Sequence, residues 1–238
     1  MSRRLLLLAL VAAAAGGVGT PAAEAGSECD GLIVCIPVTG PWVQVPGGGA
    51  PTYYQLSCPG RGQVIGGLDA DRAGPLELSF LGQLGGPVSP GVTTARSAVF
   101  VARTTRSLAS FRPLLGCIPA GGGGGRERTV YRPTRQLTGV APRPVDATIR
   151  RVKNFRVKDQ QAERVSHACL EGEQLLAFSH AIAFRSNRPL ALSALGSVRA
   201  TSRAAGDRVV ARVRSGIARP VGMRVELQIH AICVRGPS

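Results

Sequence analysis

Hydrophobic and polar residues alternate along much of this chain with a period of two. The clearest run covers residues 223–233, where Met, Val, Leu, Ile, Ala and Cys occupy the odd positions. The even positions up to 230 hold Arg224, Glu226, Gln228 and His230. A period of two over this length predicts a strand with one buried face and one solvated face. Cys233 is therefore expected to point inward.

A second alternating run covers residues 208–214 and places Arg208, Arg212 and Arg214 on its polar side. This run and the run 223–233 follow each other in the sequence, so they are candidates to pair within one sheet. If they pair, their outward side chains form a basic sheet face.

The first half of the chain shows the same pattern of short strands. Loops rich in glycine and proline, at 46–51 and 85–91, separate brief runs of apolar and β-branched residues. About six strands are predicted here, a series typical of an antiparallel sandwich or barrel. The runs cover residues 42–45, 52–58, 63–68, 76–81, 97–103 and 112–118.

An eight-residue motif occurs twice. Pro-Leu-Glu-Leu-Ser-Phe-Leu-Gly at 75–82 and Pro-Leu-Ala-Leu-Ser-Ala-Leu-Gly at 189–196 match in six of eight positions. Each copy lies between two cysteines, Cys58 and Cys117 for the first and Cys169 and Cys233 for the second. This pattern predicts one β-rich unit present twice. The predicted fold is all-β, with two tandem disulfide-closed antiparallel β-sandwich-like units of immunoglobulin-like or jelly-roll-like type.

Residues 1–25 have the features of a secretory signal peptide. A short start with two arginines precedes an apolar run at 5–18, and Ala23-Glu-Ala25 fits a cleavage site. The apolar run is shorter than the ~20 residues that span a membrane. An uncleaved N-terminal anchor is the alternative. The sequence thus predicts a secreted protein, extracellular or associated with the cell envelope, after cleavage near Ala25.

Shifts in composition divide the rest of the chain. A stretch with five consecutive glycines and many arginines separates the two predicted units and is expected to be a flexible basic linker. The predicted segments are a lead-in with a small disulfide loop at 26–41, a first β-unit at 42–118, the linker at 119–152 and a second β-unit at 153–238.

The six cysteines of the chain favour disulfides, because exported proteins fold under oxidising conditions. Composition alone leaves the pairing open, but the repeat suggests a set in which each long bridge closes one unit. The predicted pairs are Cys29–Cys35, Cys58–Cys117 and Cys169–Cys233. Since no two cysteines have the C-x-x-C spacing, no zinc site is expected.

The chain is strongly basic, with 29 lysines and arginines against 14 acidic residues and a formal net charge of +15. Such a surface predicts an anionic partner, for example a cell-wall polymer such as teichoic acid, an acidic glycan or a membrane surface. A solvated basic surface is the alternative, and we do not expect nucleic acid as the physiological ligand. The candidate contact residues are Arg126, Arg128, Arg132, Arg135, Arg150 and Arg151.

Two stretches carry a resemblance to known proteins. Cys58-Pro-Gly-Arg-Gly-Gln-Val-Ile-Gly-Gly67 and Ile229-His-Ala-Ile-Cys233 resemble the start and the last strand of secreted actinobacterial proteins with tandem cysteine-closed β-domains. The resemblance covers most of 42–118 and 153–235, although Leu170 replaces the proline in the second copy. It implies export, disulfides and a β fold, and it implies no catalytic residue.

The candidates for chemistry are few. His167, His180 and His230 lie on different phases of their runs, so a shared metal site is not expected. No Gly-x-Ser-x-Gly motif is present, which disfavours a serine hydrolase. Glu171 and Glu173 are expected to be solvated turn residues rather than the paired carboxylates of a glycosidase. We therefore predict neither a metal nor a cofactor.

The sequence predicts a non-enzymatic exported protein that associates with the cell envelope or with an anionic surface polymer. One alternative is a secreted protein-binding module or inhibitor that presents the loop 85–94 to a protein partner. The other alternative is an enzyme of unrecognised type.

Overall fold

The structure is a computed structural model that describes residues 27–82, 95–120, 138–139, 148–158, 161–216 and 223–235. Several predictions fall on residues outside these ranges. They concern the signal peptide 1–25, the loop 85–94 and four linker arginines, Arg126, Arg128, Arg132 and Arg135.

The described residues form an all-β protein, as predicted, with fourteen strands, one turn of 3-10 helix at Ser27–Cys29 and one short α-helix. The elements are β1 Ile36–Thr39, β2 Trp42–Val45, β3 Thr52–Ser57, β4 Gln63–Ala73, β5 Glu77–Gly82, β6 Ser97–Arg103, β7 Ala109–Pro119, β8 Thr138–Gly139, β9 Ile149–Arg156, β10 Ala162–Ala168, β11 Glu173–Arg185, α1 Leu192–Gly196, β12 Val198–Ala205, β13 Arg208–Ser215 and β14 Arg224–Arg235.

A seven-stranded antiparallel sheet runs through both halves of the chain. Strand β7 has β4 on one side and β1 and β2 on the other, and the sheet continues from β2 through β11 and β14 to β9. The two halves meet where β2 pairs with β11, with Val43 opposite Ala183 and Trp42 opposite Phe184. Strands of both predicted units therefore share one sheet, and a tandem arrangement of two units stays a prediction.

Two smaller sheets pack on opposite faces of this shared sheet. Successive residues of a strand point to opposite faces. Val43 and Ala183 belong to a core with the sheet β3–β6–β5–β8, while Trp42, Ile182 and Phe184 belong to a second core with the sheet β10–β13–β12. Strands β2 and β11 thus contribute to both hydrophobic cores.

Three disulfides join the same cysteine pairs that the sequence predicts. The two long bridges lie inside the cores, where Cys117 and Cys233 are fully buried. Each long bridge connects the end of a small-sheet strand, at Cys58 or Cys169, to a central strand of the shared sheet. The short bridge joins Cys29, the last residue of the 3-10 turn, to Cys35 and closes the small loop predicted there.

The two halves use corresponding hydrogen bonds around the long disulfides. Cys58 donates its backbone N–H to the carbonyl of Arg96 and Cys169 donates its own to the carbonyl of Asp207, each at 2.9 Å. Both halves also have a β-bulge next to one cysteine of the long bridge. In β4 the bulge follows Ile65, which lies opposite Cys117, and in β11 it follows Leu175, which lies opposite Cys233.

The repeated octapeptide does not occupy corresponding positions. Its first copy, 75–82, contains β5, while its second copy, 189–196, contains the helix α1. In the first small sheet, β5 pairs with β6. The corresponding strand of the second small sheet is β12, which pairs with β13 and begins only at Val198. The hydrogen bonds near the disulfides, rather than the octapeptide, carry the likeness between the halves.

The predicted pairing of the runs 208–214 and 223–233 is wrong. Strand β13 pairs with β10 and β12 in a small sheet, whereas β14 lies between β11 and β9 in the shared sheet. The even-numbered side of β14 is also less solvated than its pattern suggests, because Gln228 and His230 are buried.

The end of the predicted linker is part of the shared sheet. Strand β9 begins at Ile149, within 119–152, and pairs with β14 along its whole length. Thr138 and Gly139 form the two-residue strand β8, parallel to β5. Arg150 and Arg151 are therefore strand residues.

Candidate anion-binding site

Six exposed arginines lie on the outward face of the sheet β10–β13–β12. Alternation along β13 buries Val209, Ala211 and Val213 in the second core and places the residues between them on the opposite, outward side of the sheet. The register with β10 and β12 extends this outward face to both neighbours. We call it the arginine face, and its six arginines are Arg164, Arg199, Arg203, Arg208, Arg212 and Arg214.

Two pairs of these arginines lie directly opposite each other on neighbouring strands. Arg212 is opposite Arg164, and Arg214 is opposite Arg199. Side chains in such positions project to the same side from Cβ atoms about 5 Å apart. Val210 lies among them on the outward face, yet only 6% of its surface is exposed. This burial is consistent with the aliphatic stems of long side chains covering it.

The arginine face has no internal counter-charge among the described residues. Its other side chains are small or neutral: Ala162, Ser166, Ala168, Thr201, Ala205 and Val210. None of the six arginines has a hydrogen-bond or ion-pair partner in the described part of the chain. Six positive charges therefore share an area of about 10 by 20 Å. Like charges directly opposite on neighbouring strands are destabilising, so this arrangement opposes folding.

Some arginines elsewhere in the described part of the chain form ion pairs. Arg112 binds Asp71 at 2.8 Å through its Nε and lies over the ring of Trp42. Arg185 binds Glu226 at 2.6 Å. These pairs contrast with the arginine face, whose six arginines have no such partner among the described residues.

The two described arginines of the predicted linker site are engaged within the protein. Arg151 forms a two-point ion pair with Glu173, and this holds the pKa of the Glu173 carboxyl down at about 2. Arg150 lies over the ring of Tyr53 at 5.3 Å, and burial lowers its pKa. Since both lie on β9 in the shared sheet, they do not join the arginine face.

Arg150 belongs to a buried polar network between the two halves. It donates to Nδ1 of His230 at 3.0 Å, so this ring is neutral and its Nε2 donates to Oε1 of Gln228 at 2.7 Å. Burial, helped by Arg150 and His167, lowers the pKa of His230 to about 3. The sequence assigned His230 to a solvated face, and that assignment is wrong.

Gln228 closes the open edge of strand β3. Its Oε1 accepts the backbone N–H of Gln55 at 2.6 Å, and its Nε2 donates to the backbone carbonyl of Gln55 at 3.0 Å. Nε2 also donates to Asn154 on β9 at 2.9 Å. One carboxamide thus replaces a neighbouring strand and ties the first small sheet to β14.

Replacing Gln228 with leucine is expected to lower the free energy of unfolding by about 2–3 kcal/mol, because two backbone groups of Gln55 lose their partners. The Gln55 amide should also exchange its hydrogen faster. Urea denaturation and hydrogen exchange measure these effects, with Asn154→Ala as the control for the exposed end of the network. An unchanged Gln55 exchange rate would contradict this role.

The histidines do not form one ligand set. Nδ1 of His180 lies 2.8 Å from the hydroxyl of Ser202, while Nε2 of His167 is buried without a hydrogen-bond partner. Among the described residues, the side chains close enough to share a metal ion are Cys169, Glu173 and Cys233. Their two sulfurs form the disulfide and are not available as thiolates.

Three buried polar atoms without partners have the residue types of a catalytic triad. They belong to Glu163, His167 and Ser215. Glu163 and His167 are four residues apart on the same side of β10, which separates them by about 13 Å. A hydrogen-bonded relay needs donor and acceptor within about 3 Å, so these groups do not form one.

A cavity of about 500 Å³ lies on the outward face of the other small sheet. Tyr53, Val101 and Ser79 lie side by side across β3, β6 and β5 on its floor. Glu77 and Arg103 stand opposite each other at one end. The cavity combines an apolar floor with charges of both signs.

Three members of the arginine face were missed in the sequence. Arg199 and Arg203 lie in the run 198–205, and Arg164 lies in the run 162–168. Polar residues such as Glu163, His167 and Ser202 stand at inward positions of these runs, so the period of two is less clear there than in 208–214. Only the register shows that the three strands are neighbours.

Comparison of the chain with protein-family models, with curated proteins and with solved structures gives no match. Within the described residues, no helix has the length and apolar character needed to cross a membrane.

Proposed function

We propose that this chain is a non-enzymatic exported protein that binds an anionic polymer or surface of the cell envelope through the arginine face. The observation that carries the proposal is the set of six arginines without counter-charge on one sheet face. An arrangement that opposes folding is explained if a ligand supplies the missing negative charge. The formal net charge of +15 adds long-range attraction to such a ligand.

The proposal of export rests on three observations. The three disulfides fit an extracellular or otherwise oxidising compartment. The signal-peptide pattern in residues 1–25 and the resemblance to secreted actinobacterial β-domains add sequence support. Cleavage near Ala25 stays a prediction, which the N-terminal sequence of the exported protein would test.

A protein-binding module is the second candidate, and the cavity beside Tyr53 and Val101 favours it. A concave site with an apolar floor and a few charged groups at its end is typical of ligand recognition. Binding of a partner there should survive high salt, unlike binding to the arginine face. Turnover on a panel of glycans, esters and peptides would be the test of the remaining alternative, an enzyme.

Binding of the protein to isolated cell envelopes over a salt series tests the first candidate. The variant carries Arg164→Gln, Arg199→Gln, Arg212→Gln and Arg214→Gln. We expect binding to fall steeply as the salt concentration rises and to be about tenfold or more weaker in this variant. The reason is that the attraction between the arginine charges and the anionic ligand is the source of affinity, and salt screens this attraction.

A matched control removes four exposed arginines elsewhere, with Arg61→Gln, Arg106→Gln, Arg188→Gln and Arg224→Gln, and should change binding less than about twofold at equal net charge. A third variant removes Arg126, Arg128, Arg132 and Arg135, and an effect confined to it would move the contact to the linker. Absence of binding at low salt would contradict the whole proposal.

A further inference from the structure

We infer that the arginine face binds the phosphate groups of a phosphodiester polymer, each held between two guanidinium groups of neighbouring strands. This inference rests on the proposed function and makes the ligand specific. It depends on the pairing of the arginines, on their spacing along β13 and on what the face lacks.

Each pair of arginines that lie opposite each other on neighbouring strands forms one phosphate clamp. Arg212 with Arg164 and Arg214 with Arg199 bring two guanidinium groups together on each side of β13. A guanidinium is a planar fork that binds two oxygens of one anion. A tetrahedral phosphate presents oxygens in several directions, so two forks can bind it from different sides. A carboxylate has only two oxygens in one plane, so after one fork binds its edge, fewer lone pairs remain for a second fork than on a phosphate.

The spacing sets the repeat of the ligand. Arg212 and Arg214 are two residues apart on the same face of β13, and their partners lie on opposite sides of this strand, so the two clamps are offset by about 7 Å along the strand and about 5 Å across it. Phosphodiester groups joined through a three-carbon polyol have a comparable separation. Successive phosphates of such a polymer can therefore reach successive clamps, and Arg203 and Arg208 extend the contact toward the β12–β13 turn.

The rest of the face argues against two other phosphate ligands. It carries no aromatic side chain on which a nucleic-acid base could stack. Its central apolar residue, Val210, is only 6% exposed, so the face offers no apolar side chain for insertion into a bilayer, which adds affinity in amphipathic membrane-surface elements. A soluble phosphodiester polymer fits both observations.

A charge-conserving variant tests the clamps. It carries Arg164→Lys, Arg199→Lys, Arg212→Lys and Arg214→Lys and keeps the net charge of the mature protein. Calorimetric titration with poly(glycerol phosphate) should show affinity about tenfold lower than that of the unmodified protein. The salt slope of binding should stay unchanged, because the number of neutralised phosphates stays the same.

Two further ligands complete the test. Poly-glutamate of matched charge should bind the unmodified protein less tightly than poly(glycerol phosphate) does at equal salt. The unmodified protein and the lysine variant should bind poly-glutamate with equal affinity. Vesicles containing phosphatidylglycerol present the same headgroup on a bilayer and should bind more weakly than the polymer.

The outcomes separate this inference from the proposed function. The phosphate clamp would be overturned if the lysine variant bound poly(glycerol phosphate) as tightly as the unmodified protein does, if the unmodified protein bound poly-glutamate as tightly as poly(glycerol phosphate), or if it bound vesicles alone. Each of these outcomes would leave charge-driven binding intact. Unchanged envelope binding by the variant with glutamine at the same four positions would instead contradict the proposed function itself.

Discussion

Replacing Cys169 and Cys233 together with alanine is expected to lower the free energy of unfolding by about 4 kcal/mol. The bridge closes a loop of 64 residues, and cutting it restores the conformational freedom of that loop in the unfolded chain. Both sulfurs also lie in the second core, so their removal leaves space that the core must fill. The loss is large compared with the net stability of most domains.

Urea denaturation followed by far-UV circular dichroism measures this loss. The matched control removes Cys29 and Cys35, whose loop spans only 6 residues, and should cost about half as much. Because β2 and β11 contribute to both cores, we expect one cooperative transition that shifts as a whole. Two separate transitions, with only one of them shifted, would show that the halves fold independently.

Acidification is expected to destabilise the protein strongly, beginning near pH 6.5. His230 is neutral and buried in the folded state, with its pKa lowered from 6.5 to about 3, whereas in the unfolded chain it takes up a proton near its usual value. The unfolded state therefore binds more protons between these two values, and stability falls as the pH falls through this window. Each such group gives a slope of up to about 1.4 kcal/mol per pH unit.

Other groups act in the same direction. Burial also lowers the pKa of His167 and of His180. The ion pair with Arg151 lowers the pKa of Glu173 from 4.5 to about 2, so the stability from this pair is present above pH 4.5 and is lost as the pH falls toward 2. Between pH 6.5 and 5 the histidines dominate the slope.

The variant His230→Gln isolates the contribution of the buried ring. It should be less stable at pH 7, since a glutamine does not reproduce the contacts with both Arg150 and Gln228. Its stability should depend less on pH between 6.5 and 5, with a slope lower by up to about 1.4 kcal/mol per pH unit. The free energy of unfolding measured by urea at several pH values gives both slopes. An equal slope in the two proteins would contradict the buried neutral state of His230.

The fold class and the bridges could be predicted because they depend on local and pairwise patterns. Alternation in 208–214 and 223–233 is a direct signature of strands, and β13 and β14 cover these residues. The cysteines could be paired because each couple brackets one copy of the repeated octapeptide, although the two copies do not occupy corresponding positions in the fold. These signals do not require knowledge of which strands are neighbours.

Strand order could not be predicted, because it depends on contacts between distant residues. Gln228 lies in an alternating run whose even side reads as solvated, but β3 covers that side through a contact across 173 positions of sequence. The octapeptide shows the same limit. Its shared residues form a strand in one place and a helical turn in the other, since surrounding contacts outweigh local propensity in so short a segment.

The position of the arginine face could not be predicted, although three of its residues could. An excess of arginine indicated an anionic partner, and Arg208, Arg212 and Arg214 were recognised as outward residues of one strand. Their neighbours on β10 and β12 come from segments about ten to fifty residues earlier, so only the register assembles the face.

Because the two small sheets pack on opposite sides of the shared sheet, their outward faces lie on opposite sides of the molecule. The arginine face looks outward from one side, and the cavity beside Tyr53 and Val101 looks outward from the other. A molecule held to an envelope polymer by its arginines would turn the cavity away from the wall, toward the medium. Such an orientation suits an adaptor, with attachment on one side and recognition on the other.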